Sequence, residues 1–431
     1  MRPPAGRRMR RPGPRRMRRG LRTSTPWTEL VGSSSRLDGP QRASTGAALT
    51  PIRSVAVIDI EKVLCALVAC DGSDLHLKVG SVPLARVDGE LGPLTSDDWP
   101  VLTAADTQAA MKALLSGSNR MLEFEEGHEM DISHEIPGVA RFRINIFHQR
   151  GNVSLAARAI PHRIRTVDEL GLPPVITELA DESRGIILVT GSTGSGKSTT
   201  LAAIIDHINK SRSAHVVTIE DPIEFVHGDI CSMISQREVG ADTESFKLAL
   251  RRVLRQDPDV ILIGEMRDEE TVQTALSAAE TGHLVLSTIH TVDAAESINR
   301  MLDFFPPHQH KQVRSMIAGT LKGVVSQRLV PASVGGRVAA VEVLRMTGRV
   351  RDAIYDPARQ EAGLAEIIAD GSFYGMQTFD QALLAHVRSG RIKVEDAIEA
   401  ATSPHDFKLM LDAEAPRQAA ALDASRLALA S

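Results

Sequence analysis

Eight consecutive residues, Gly191-Ser192-Thr193-Gly194-Ser195-Gly196-Lys197-Ser198, have the types and spacing needed to hold a triphosphate. The glycines let the backbone curl so that successive N–H groups point inward at phosphate oxygens, and a helix starting there adds its partly positive N-terminus. Lys197 would reach the β- and γ-phosphates. The Ser198 hydroxyl would ligate Mg²⁺, and Thr199, the next residue, is counted with the binding loop. A Gly/Ser-rich strand-to-helix turn could have the same composition without any ligand. The surroundings favour the ligand: the buried-type run Gly185-Ile186-Ile187-Leu188-Val189-Thr190 precedes the loop, and a helical pattern from Thr199 to Ile208 follows it. The expected cofactors are ATP and Mg²⁺.

Three further strand-like runs end in polar clusters. Ile261-Leu262-Ile263 leads to Gly264-Glu265, so a carboxylate stands at the tip of an aliphatic strand. Gly264 occupies the position where a Walker B strand usually carries Asp, leaving Glu265 alone to hold the Mg²⁺ shell through a water; a salt bridge to Arg267 is the structural alternative. The run His215-Val216-Val217-Thr218-Ile219 ends at Glu220-Asp221-Pro222-Ile223-Glu224-Phe225. Three carboxylates this close repel one another unless a cation or a proton-transfer role offsets the cost. Hydrolysis of ATP needs an acceptor for the attacking water, and spacing alone leaves Glu220, Asp221 and Glu224 equal candidates. The fourth run lies between His283 and His290. On an extended strand these imidazoles would be about 23 Å apart and cannot share a metal. His290, at the carboxyl end, is the candidate reader of the γ-phosphate, because ligands of open α/β sheets sit at that edge.

Composition narrows the class. The chain has 431 residues, enough for two or three domains, and only 3% aromatic residues. That profile fits an aliphatic α/β fold. Cys65, Cys70 and Cys231 are too few and scattered for a disulfide framework or a four-thiolate zinc site, and are expected to be small buried hydrophobes in a reduced, cytoplasmic setting. No apolar run approaches the length of a membrane span. Residues 1–50 hold twelve arginines against Glu29 and Asp38, a net of +10; with −4 for the whole chain, the remainder carries −14. Such a body is unlike one that tracks nucleic acid, so stable nucleic-acid binding is not expected. The arginine-rich start reads as a disordered tail or as sequence upstream of the true start, with an anionic-surface arm as the alternative.

The pattern divides the chain into a basic tail (1–50), a small α+β domain (51–165), an α/β domain with C-terminal helices (166–412) and a frayed Ala-rich end (413–431). Within the second segment, helices are expected over Ile58–Ala69 and Thr107–Leu115. The segment Val139–Phe147 alternates cleanly, with Phe142, Ile144 and Ile146 on one face and Arg141, Arg143 and Asn145 on the other. Beyond residue 165, strands at Gly185–Thr190, His215–Glu220, Val260–Gly264 and Leu284–Ile289 alternate with helices, which is the pattern of a parallel sheet. From about Asp352 onward the pattern is helical.

Four signatures occur together: the phosphate loop, the aspartate box Thr218–Phe225, the strand Ile263-Gly264-Glu265-Met266-Arg267-Asp268, and a histidine box from Thr281 to His290. Together they resemble the secretion-superfamily ATPases, hexameric motors of type IV pili and type II secretion. Within that superfamily the chain is most similar to the PilT-type retraction ATPases. Gly72-Ser73-Asp74-Leu75-His76-Leu77 matches the opening of their PAS-like domain, and Gly375-Met376-Gln377-Thr378-Phe379-Asp380-Gln381-Ala382-Leu383 matches their last helical segment. The resemblance implies a PAS-like domain before a RecA-like P-loop domain, and a homohexamer hydrolysing ATP on the inner face of the cytoplasmic membrane. It also implies a pilus platform protein as partner and, indirectly, pilin. It makes Glu224 the first choice for the catalytic glutamate, supported by Glu220 and Asp221. It casts Arg143 and Arg158 as charge stabilisers reaching a neighbouring subunit's site. The stretch Arg349-Val350-Arg351-Asp352-Ala353-Ile354 departs from the family's Ala-Ile-Arg-Asn-Leu segment, which leaves an accessory, PilU-like or assembly role open beside retraction. A nucleic-acid motor on the same core and a non-hydrolysing ring member are the readings from other classes.

Overall fold

The computed structural model describes residues 58–413 apart from 88, 95–98, 117–119, 161–162 and 358–362. The expected basic tail and nearly all of the expected frayed end lie outside these residues.

The first sheet grows from segments whose side chains alternate between core and surface. Helix α1 (Ile60–Ala69) begins at Asp59, whose carboxylate accepts the Glu61 N–H at 3.2 Å. There follow β1 (Asp74–Leu77), β2 (Leu84–Val87), β3 (Glu90–Pro93), α2 (Ala104–Leu114), α3 (Arg120–Gly127), β4 (Glu129–Ile136), β5 (Ala140–Gln149) and β6 (Asn152–Ile160). Thr103 and Asp106 form a reciprocal capping box at the start of α2. The strands make a six-stranded antiparallel sheet in the order β3-β2-β1-β6-β5-β4. Arg150 and Gly151 connect β5 to β6 with positive φ at both residues (51° and 77°), the backbone that matches strand twist in a tight hairpin. Phe142, Ile144 and Ile146 are wholly buried with Leu64, Leu67, Leu75 and Leu77, so one face of the sheet packs on the helices. Arg141, Arg143 and Asn145 occupy the other face.

The second sheet is built from runs buried on both sides. Helix α4 (Val175–Ala180) leads into β7 (Gly185–Thr190), α5 (Lys197–Ser211), β8 (His215–Glu220), β9 (Met233–Glu238), α6 (Phe246–Val253), β10 (Val260–Ile263), α7 (Glu269–Glu280), β11 (Leu284–Ile289), α8 (Ala294–Asp303), α9 (His310–Thr320), β12 (Leu321–Pro331) and β13 (Arg337–Arg345). Its order is β13-β12-β7-β11-β10-β8-β9, parallel throughout except for the β12/β13 pair. Every residue of β7, β10 and β11 is buried. Their odd and even side chains serve two separate cores, one under α4 and α5 and the other under α6 to α9. Helices α10 (Gly348–Tyr355), α11 (Leu364–Ala369), α12 (Phe379–Arg388) and α13 (Val394–Ala400) complete the chain. Phe379, Leu383 and Phe407 of this last part pack on Val330 and Ala340 of the antiparallel pair.

The fold is therefore α/β with a parallel-rich sheet, as expected. The cysteines differ from expectation. Cys65 and Cys70 are only half-buried, and Cys231 is exposed, because it sits in the turn entering the edge strand β9, where its thiol donates to Lys210 O.

Candidate functional site

The phosphate loop occupies the carboxyl end of β7, and Lys197 opens α5. Gly191 and Gly196 are loop positions where a side chain would meet both backbone strain and a close neighbour. Both have φ in the left-handed half (143° and 93°), and a Cβ at Gly191 would lie 2.5 Å from the Gln327 carbonyl. The Lys197 side chain turns back over the loop and donates to Gly191 O at 2.8 Å and Ser192 O at 3.0 Å. Burial draws its ammonium below the ordinary lysine range, while Glu265 and Glu224 act in the opposite sense. Ser195 Oγ is buried within the loop and has no hydrogen-bond partner among the described residues.

Around the loop is a cavity of about 1020 Å³. Thr193, Gly194, Gly196, Lys197, Ser198 and Thr199 line it, as do Glu220, Asp221 and Glu224 of the aspartate box, Glu265, His290 and Arg158. The expected strand tips thus face one space. His290 stands between the other two groups: its Nε2 is 3.4 Å from Glu265 Oε2 and its Nδ1 is 3.5 Å from Lys197 Nζ. Glu265 also accepts from Arg267 Nη2 at 2.8 Å, so the structural partner weighed for it is present. Burial pushes the Glu265 carboxyl up, but Arg267 and His290 outweigh it and hold the group below the usual carboxylate range.

Within the acidic turn the three carboxylates are not alike. Glu220 is half-buried and accepts from the Thr218 hydroxyl (2.6 Å) and the Gln236 amide (3.1 Å). Burial raises it above the usual range, against those hydrogen bonds and one from the Glu224 N–H. Asp221 and Glu224 are exposed to the cavity. The Asp221–Pro222 peptide bond is cis.

The two arginines from the first sheet part company. They are cross-strand neighbours, Arg143 on β5 and Arg158 on β6. Arg158 lines this chain's own cavity, with its Nε donating to Asp74 Oδ1 at 2.8 Å. Arg143 is outside the lining and lies 4.0 Å from Asp131. His283 is also apart, at the amino end of β11, with its Nδ1 against Ala278 O.

Several residues of the site carried no sequence signal. Gln327 of β12 stands behind the loop and accepts from the Thr200 hydroxyl at 2.9 Å. Arg165, Arg337 and Arg391 also line the cavity. His227, two residues past the aspartate box, also lines it; burial lowers its pKa to about 4 against the pull of Asp206, so its imidazole is neutral. Position after the acidic turn was the only available hint for His227. Among the described residues no three or more His, Cys, Asp or Glu side chains are placed to hold a metal by themselves. A hydroxyl and a single carboxylate beside a phosphate loop suit Mg²⁺, which keeps waters and takes oxygens from a bound phosphate.

A phosphate loop at the carboxyl edge of a parallel sheet, facing carboxylates on the neighbouring tips, defines a P-loop nucleotide-binding protein. Comparison with known proteins places it more narrowly. Residues 132–374 match the family described as type II/IV secretion system protein. The chain is 44% identical to the type IV pilus retraction ATPase PilT of Pseudomonas aeruginosa over 81% of its own length and all of that protein. It is 40% identical to the type IV pilus ATPase PilU of the same organism, over 82% of this chain and 91% of that one. The crystal structure of the pilus retraction motor PilT with bound ADP superposes with a TM-score of 0.74 at 44% identity, covering 81% of this chain and 98% of the other. The chain belongs to the type II/IV secretion system protein family. No helix among the described residues is long and apolar enough to cross a membrane.

Proposed function

We propose that this chain is the ATP-hydrolysing subunit of a hexameric type IV pilus motor that powers pilus retraction. The observation that carries the reading is the meeting of Lys197, Glu224, Glu265 and His290 on one cavity of about 1020 Å³. The relatives named for pilus retraction support the rest.

In this reading the loop N–H groups and Lys197 hold the phosphates, and the lysine exchanges its carbonyl contacts for phosphate oxygens. Ser198 and Glu265 would hold Mg²⁺, which would supply positive charge against the phosphates during transfer. Glu224, exposed to the cavity, orients the attacking water and accepts its proton. Glu220, engaged by the Thr218 hydroxyl and the Gln236 amide, serves by fixing the turn. His290 reads the γ-phosphate between Lys197 and Glu265. Arg158 is poised by Asp74 at the cavity wall, and Arg143, on the same sheet face, is free to serve a neighbouring subunit. Positioning and charge account for nearly all catalysis of phosphoryl transfer, so an arginine supplied by assembly raises the rate by orders of magnitude. The partners are the pilus platform protein and, through it, pilin, on the cytoplasmic side of the inner membrane.

Glu224→Gln tests the assignment. Nucleotide affinity by fluorescence titration should stay within about threefold, while phosphate release falls by a factor of about 10² to 10⁴. Turnover near the wild-type rate would remove Glu224 as the base. Twitching of a deletion strain complemented with this variant tests the motor itself. The likeness to PilU, close behind that to PilT, favours an accessory role in retraction as the second reading. Complementation of a strain lacking only this chain separates the two, since an accessory subunit leaves twitching in place.

A further inference from the structure

The backbone N–H immediately before the candidate base is held by a carboxylate from outside the aspartate box. Glu220, within the box, keeps its own partners, Thr218 and Gln236, in the second sheet. The Ile223 N–H donates to Glu238 Oε2 at 3.2 Å. Glu238, the last residue of β9, is buried at 6% exposure. Its other partners lie on the first sheet: Arg141 Nη2 donates to the same Oε2 at 3.0 Å, and Ser133 Oγ donates to Oε1 at 2.6 Å. Arg141 shares its outward sheet face with Arg143, and it has a looser ion pair to Glu135 at 3.7 Å. A buried carboxylate with an arginine, a hydroxyl and an amide as donors has a fixed geometry, because any shift leaves charge unpaired in a dry place. Ile223 is itself buried, so its peptide cannot find water as a substitute.

We propose that Glu238 is a positioning residue that transmits the placement of the first sheet, through Arg141 and Ser133, to the Ile223 peptide and so to the aim of Glu224. The aspartate box would take its productive shape only when the N-terminal domain is seated against β9. This rests on Glu224 being the base, but the geometric link exists independently of that role. When domains rearrange during a hydrolytic cycle, breaking the Arg141–Glu238 pair would release Ile223 and switch the base out of line without disturbing the phosphate loop.

The test uses the full chain. In Arg141→Met, amide hydrogen exchange of the segment 220–225 should speed up by about tenfold or more without nucleotide, the scale of losing one hydrogen bond to a charged group. Phosphate release should fall at least tenfold in kcat, with KM for ATP within about threefold. Arg141→Lys, which restores the charge, should recover most of both losses. Ser133→Ala removes one donor only and should give a smaller change of the same sign, so it serves if Arg141→Met does not fold. Unchanged exchange in both Arg141→Met and Ser133→Ala, or a loss confined to KM, overturns the link. Glu224→Gln separates the two ideas. It should abolish turnover while leaving exchange at 220–225 as in wild type; if it keeps turnover, the base assignment fails and the exchange readout still decides the link.

Discussion

Glu220 and Glu265 sit at the carboxyl ends of β8 and β10, adjacent parallel strands, and both line the same cavity. Their charges are nevertheless pushed in opposite directions. Glu220 has only neutral donors, a hydroxyl and amides, and burial wins, raising its pKa. Glu265 is also penalised by burial, but its partners Arg267 and His290 reverse the sign. Position on the sheet therefore does not decide what a carboxylate does; the partners it was given do. One tip offers a carboxyl tied into the turn as a hydrogen-bonding strut, its pKa raised. The other offers a lasting negative charge at the place where a cation would lie.

Lys197→Ala should have the largest effect, since the lysine faces both tips: nucleotide affinity measured by titration calorimetry should fall by about 10² or more. Retained affinity would mean that the two glutamates do not share a triphosphate site. The next effect concerns a third glutamate, Glu342 of β13, which caps α8 through the Ala294 N–H at 2.9 Å. Burial, helped by Asp293 and Asp380 and opposed by that Ala294 N–H bond and by Arg328, raises its pKa to about 7. A raised folded-state value means that the group's contribution is complete below its unfolded pKa of 4.5 and is lost as pH rises through 7. Urea unfolding should show roughly 3 kcal/mol less stability at pH 8 than at pH 4.5 from this group, a loss absent in Glu342→Gln. An unchanged pH slope in that variant would show that burial alone does not set these signs. Glu265→Gln, which removes a charge, should cut phosphate release by about tenfold to a hundredfold and weaken its Mg²⁺ dependence. Glu220→Gln replaces a carboxyl by a near isostere and should stay within about threefold. Equal losses in the last two variants would erase the distinction between strut and charge.

Much of the second sheet was legible because its central strands are uninterrupted aliphatic runs. The expected strands at Gly185–Thr190, His215–Glu220 and Leu284–Ile289 are those observed, and the loop between β7 and α5 follows from glycine and lysine spacing. The strands β9, β12 and β13 left no such trace. In β12 the buried positions include Ser326, which accepts from the Thr190 hydroxyl at 2.9 Å, and Gln327, so polar residues stand where apolar ones would have announced a core strand. The role of Glu238 was invisible for a different reason. Its partners Arg141 and Ser133 are 97 and 105 residues away, and no local pattern reports a contact made only when two sheets meet. The same holds for ranking the carboxylates of the aspartate box: spacing left three equal, and only burial and donors tell them apart.

Gln327 has one more consequence, in the order of events as the chain is made. It braces Thr200 from 127 positions downstream, and β12 pairs directly with β7. A nascent polypeptide ending after β11 would already contain every nucleotide-binding signature, yet β7 would be an open edge and the glycine loop would lack its backing. Competence to grip phosphate therefore matures late in synthesis, since so distant a closure is slow to form. Truncated products carrying all the motifs would be inert.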